Sequence, residues 1–158
     1  MKNSTKGIAA FIVTQVTIII LINYLVGKIT QPFNLSPDIR ETSSYLIINT
    51  LLFLNIYFGF GFLSGKVFKL KTRNSIISAA ISGSVLLTAL WIYYAILGGR
   101  HNMIQFYTFL NPSALWALYS TNIFSDTSSI NLVYTILPPV VFAAGIWRNS
   151  RVPQKNNA

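Results

Sequence analysis

Four long apolar runs dominate this chain and leave little freedom in what it can fold into. A helix needs about 20 mostly apolar residues to cross the hydrocarbon core of a bilayer. The runs at 8–27, 45–65 and 75–97 reach that length, and the run at 130–147 is slightly shorter. No Asp, Glu, Lys, Arg or His lies within any of them, so none reads as an amphipathic surface helix. In lipid the backbone must satisfy its own hydrogen bonds, which selects helices for runs of this kind. The expected fold is therefore all-α: an integral membrane four-helix bundle, formed by a single polytopic domain over residues 1–158.

Composition supports the same solvent. Only 9% of residues are charged while 53% are apolar, against roughly 25% charged in ordinary soluble domains. So few charges do not cover the surface of a soluble fold of this size. A formal charge of +9 would suggest nucleic acid in a soluble protein. Here the cations sit in short clusters between apolar runs, with no basic stripe interleaved with aromatics, and no nucleic-acid partner is expected. Cysteine is absent, which excludes disulfides, Cys-ligated zinc and a thiol nucleophile. The abundance of Ile, Asn and Lys points to an AT-rich bacterial genome and hence to a bacterial cell membrane.

The cations also orient the chain. Lys2 and Lys6 precede the first run, Lys66, Lys69, Lys71 and Arg73 join the second to the third, and Arg148, Arg151 and Lys155 follow the fourth. Lys28, Arg40 and Arg100 fall on the opposite side. By the positive-inside rule both termini are expected in the cytoplasm. The first run exceeds the usual signal-peptide core of about 7–15 residues, and no small-x-small cleavage pair follows it, so it reads as an uncleaved anchor. The inner cations would also attract anionic lipid headgroups, at about 1 kcal/mol per charge.

The stretch 98–129 is too long for a structureless loop in a compact protein. A fifth span there would carry the basic tail to the outer side, against the charge rule. The better expectation is an outer segment over about 103–121, between the third and fourth spans, that holds an interfacial or re-entrant helix, with 113–119 apolar enough for a short one. Phe106, Tyr107, Trp116 and Tyr119 would lie at headgroup depth as a candidate outer binding surface. Asn111-Pro112 marks its start, because the residue before proline avoids helical geometry. In the first outer loop, Ser36 followed by Pro37 is a helix-start signal. The polar tail, 152–158, is expected to be disordered.

Within lipid, small residues and interhelical hydrogen bonds organise helix packing. Gly61 and Gly65 are spaced four apart at the end of the second run, as are Ser75, Ala79 and Gly83 in the third. Both faces lie toward the cytoplasmic ends of sequential antiparallel helices, so they are expected to meet. Gln15, Asn23, Asn49 and Asn55 are the candidate polar lining or interhelical residues. By depth, Gln15 matches Asn55 and Asn23 matches Asn49, with at most one direct pair expected. Pro138 and Pro139 remove two helical donors, predicting a kink and free carbonyls at Tyr134 and Thr135. The Thr135 hydroxyl is a candidate local partner there.

Chemistry-bearing groups are scarce. His101 with Asp38, Glu41 and Asp126 is the one outer-face cluster the inventory allows, and these residues read first as solvated loop residues and caps. No phosphate loop, zinc-ligand spacing or nucleophile elbow is present. The chain is therefore expected to be no enzyme and to need no metal or cofactor. The functional expectation is a small multi-pass accessory or regulatory subunit that binds another membrane component, whether a different membrane protein or a second copy. The alternative is a transporter or lipid-handling subunit, working as a homo-oligomer or with a partner.

Overall fold

Each apolar run becomes one helix: α1 (Asn3–Ile29), α2 (Ser43–Val67), α3 (Arg73–Ile96) and α4 (Ile130–Ser150). The computed structural model describes residues 3–29, 43–96, 111 and 130–151, with side chains placed for all but 22–29, 43–49, 94–95 and 130–132. The described residues contain no strand. The helices overrun the apolar segments because their polar ends still find partners. Ser150 Oγ, for example, donates to Trp147 O at 2.7 Å beyond the expected end of α4. Three of the helices, α1, α2 and α3, are long and apolar enough to cross a membrane.

The link between α2 and α3 is a tight turn with a defined stop and start. Leu70 N donates to Gly65 O at 3.0 Å and Lys69 N to Lys66 O at 3.4 Å. This is the paired pattern of a Schellman C-cap. Leu70, just past the cap, is buried in the core. The cap requires a left-handed residue, and Lys69 fills the position with φ 53°. Thr72 then caps α3, its Oγ1 accepting from Ser75 N at 3.3 Å. Because a left-handed lysine is strained, Lys69→Gly is expected to raise stability by about 1 kcal/mol. Unfolding in detergent–lipid mixtures measures this, and a loss of stability would refute the strain argument.

Helix order in space differs from order in sequence. α2 packs most extensively on α4, α3 lies against both α1 and α4, and α1 meets α2 over a shorter stretch. Two parallel pairs result. Thr50, Gly61 and Gly65 of α2 lie beside Tyr134, Phe142 and Asn149 of α4. Asn3, Ser4 and Phe11 of α1 lie beside Ser75, Ser78 and Gly83 of α3. The N-terminus of α1, the α2–α3 turn and the C-terminus of α4 therefore share one end. Lys6, Lys66, Lys69, Lys71, Arg73, Arg148 and Arg151 gather there, and we refer to it as the basic end.

This arrangement corrects the expectation that the small faces of α2 and α3 meet. Both faces do mark close helix approach, but each has another partner. A Cβ on Gly61 would strike the backbone of Phe142, and one on Gly65 would come within 2.9 Å of the Asn149 amide. A Cβ on Gly145 would in turn strike Phe58 O, so α2 and α4 cross backbone to backbone. On α3, Ser75 Oγ donates to Asn3 O at 2.9 Å, Ala79 is fully buried, and Gly83 leaves room for the Phe11 ring and Pro139. Small residues select a partner by shape and depth, and sequential helices have no privilege in that choice.

At the centre, Phe11 and Phe142 meet edge to face, with ring centroids 5.4 Å apart and planes at 83°. Tyr57, Ile18, Leu87 and Ile146 are fully buried and belong to the same core cluster. The outer faces are just as apolar. Ile20, Ile81 and Val85 are 65%, 59% and 62% exposed, a pattern that water-soluble monomers rarely tolerate over large areas.

Candidate functional site

Polar side chains within the helices fall into two sets. Thr17, Ser82 and Asn55 bond to carbonyls of their own helices: Val13 O at 2.8 Å, Ala79 O at 3.3 Å and Leu51 O at 2.8 Å. These bonds satisfy a hydroxyl or amide locally and hold no other helix. The second set crosses between helices. Tyr57 Oη donates to Gln15 Oε1 at 2.9 Å, and the hydroxyls of Thr14 and Ser64 share a bond of 3.0 Å. Both link α1 to α2, the least extensively packed neighbours among the adjacent helices. Thr50 and Tyr134 hydroxyls lie 3.0 Å apart between α2 and α4.

Of the two depth-matched pairs, of which at most one is expected to bond directly, Gln15 and Asn55 do not bond to each other. Gln15 is buried and bonds to Tyr57, whereas Asn55 is exposed and turns back to Leu51. Depth alone does not select the partner, because rotation about the α2 axis decides which residue faces inward. Tyr57, two residues on, occupies the opposite face. Asn23 and Asn49 fall within α1 and α2, but their side chains lie outside the described set, as do Phe106, Tyr107, Trp116, Tyr119, His101, Asp38, Glu41 and Asp126.

Pro138 and Pro139 are both buried, and α4 continues through them. The missing Pro138 donor frees Tyr134 O, and Asn111 supplies the replacement: its Nδ2 donates to that carbonyl at 3.3 Å. Asn111 is fully buried. Asn111 thus meets α4 at a carbonyl whose ordinary helical donor proline removes. At the neighbouring position, Thr135 Oγ1 accepts from Thr88 Oγ1 at 3.4 Å, a long contact for two hydroxyls.

No family model, curated protein or solved structure matches this chain. Function must therefore be argued from the geometry itself. Among the described residues no group of three His, Cys, Asp or Glu side chains is assembled. At the basic end the Arg151 guanidinium sits 4.1 Å above the Trp147 ring, a cation–π contact within one turn of α4's end.

Several residues important to this geometry escaped sequence reasoning. Gly7 allows α1 to touch the backbone of Ser75, and Gly145 does the same for α4 against α2. The signal was present for Gly145, in the run Ala143-Ala144-Gly145. Tyr57 was overlooked because a single hydroxyl in an aromatic-rich helix has no distinguishing spacing. The Asn111–Tyr134 bond joins positions 23 residues apart, and no local pattern announces such a pairing.

Proposed function

We propose that this chain is a multi-pass protein of a bacterial cell membrane, with both termini cytoplasmic, that acts by binding another membrane component. α4 serves as its fourth span. What supports the reading is the filled centre. The edge-to-face Phe11–Phe142 pair, with Gly83 and Pro139 packed against it, fills the space among α1, α3 and α4. The gathered cations at the basic end favour a cytoplasmic, anionic-lipid-facing position for that end. The partner surface is the outer aromatic segment with Phe106, Tyr107, Trp116 and Tyr119. No catalytic chemistry, metal or cofactor enters the proposal.

A second reading, transport or lipid handling, draws on one specific observation. The α1–α2 seam is thinly packed and joined by the Gln15–Tyr57 and Thr14–Ser64 bonds, which is where lateral opening would start. Purification from native membranes in mild detergent, with mass spectrometry of bound proteins and lipids, separates the two. A stoichiometric protein partner, lost on Trp116→Ala or Tyr119→Ala but kept on Gln15→Leu, is the expected result. Absence of any such partner overturns the proposal, and a specifically retained lipid or small molecule in that preparation favours the second reading.

A further inference from the structure

The side of α2 that faces away from the other helices carries an unusual pair. Leu52, Asn55 and Gly59 recur at helical spacing on one face, opposite the buried Phe53, Tyr57, Gly61 and Ser64. Asn55 lies at the middle of α2, the depth at which lipid offers no hydrogen bonds. Its carboxamide spends one N–H on Leu51 O, and the residue remains exposed. One turn on, a Cβ at Gly59 would meet nothing within 4 Å. A glycine inside a helix costs about 1 kcal/mol relative to alanine, and no contact among the described residues requires one here. An outward amide beside an open glycine is a position where another backbone can approach.

We propose that this face pairs two copies of the chain about a two-fold axis along the membrane normal. The partner is set by complementarity. Copies inserted in one orientation present equal residues at equal depth, so Asn55 meets Asn55 and Gly59 meets Gly59. A carboxamide offers both a donor and an acceptor, so two of them on a two-fold axis satisfy each other reciprocally. Lys66, further along the same face, lies in the last turn of α2 at the basic end, where water and salt screen its counterpart. The inference rests on the membrane reading above but not on the identity of any other partner.

The chain has no cysteine, so a single introduced thiol reports proximity cleanly. Oxidation of native membranes carrying Leu52→Cys is expected to give a disulfide-linked species of twice the chain mass. Ile81→Cys, exposed on α3, is expected to give none. Adding Gly59→Ile or Asn55→Leu to Leu52→Cys is expected to weaken association about tenfold, the loss of a few bilayer hydrogen bonds and close contacts. A Cβ at position 59 meets nothing within 4 Å, and unchanged thermal unfolding of the Gly59→Ile monomer separates lost pairing from lost folding. No cross-linked dimer at Leu52→Cys, equal linkage at Ile81→Cys, or a product of any other mass overturns the pairing. Alkaline extraction of the same membranes separates the causes: a released chain overturns the membrane reading itself, whereas a retained chain without dimer overturns only this face.

Discussion

Replacing Asn111 by leucine is expected to cost about 1–3 kcal/mol of stability, because the buried Asn111 amide and the hydrogen bond it donates to the Tyr134 carbonyl are both lost. The loss should shrink when Pro138 is also replaced by alanine. Alanine restores the backbone N–H that proline lacks, and that N–H reaches Tyr134 O by the ordinary helical route. Asn111 and Pro138 are therefore alternative solutions to one carbonyl. A double-mutant cycle should return a coupling of about 1–2 kcal/mol, well outside the additivity of independent sites. Unfolding of the four proteins in bicelles provides the measurement. Additive losses would mean that the Asn111 amide contributes packing and not the replacement hydrogen bond.

The second large effect concerns the crossing of α2 and α4. Gly61→Leu is expected to lower stability by about 3 kcal/mol or more, since its side chain must displace the Phe142 backbone and not a flexible side chain. Gly145→Leu should do the same against Phe58 and Gly61. Gly59→Leu, on the same helix with open space before it, should leave the monomer's stability within about 0.5 kcal/mol. The three together test the geometry and not merely the presence of glycine. Equal losses at Gly59 and Gly61 would count against the α2–α4 interface. Thermal unfolding of the purified monomers distinguishes these outcomes.

Both effects involve positions that sequence reasoning located without seeing how they connect. Pro138 freed Tyr134 O by simple helix geometry, and Asn111-Pro112 marked a break in the preceding stretch. That the one break supplies the donor for the other depends on where the 98–129 stretch returns to the helices. Gly61 and Gly65 stood out by spacing, yet their partner is the last helix and not the next one. The polar residues followed the same rule: Gln15 is buried as a lining residue should be, but Tyr57, not Asn55, answers it.

The number, order and approximate limits of the described helices were determined by the sequence, because an apolar run of this length can satisfy its backbone only by coiling upon itself. The clustering of cations at one end also follows from sequence, since alternating helix direction brings residues 6, 66–73 and 148–151 to a common side. Only the tertiary structure decided which helix lies beside which. Because the helices are apolar on their outer faces as well as their inner ones, the apolar pattern alone gives no strong preference among partners. The choice passes to backbone approach and hydrogen bonding, and those depend on two surfaces at once: Gly61 against Gly145, Ser75 against Asn3, Asn111 against the Tyr134 carbonyl one turn before Pro138.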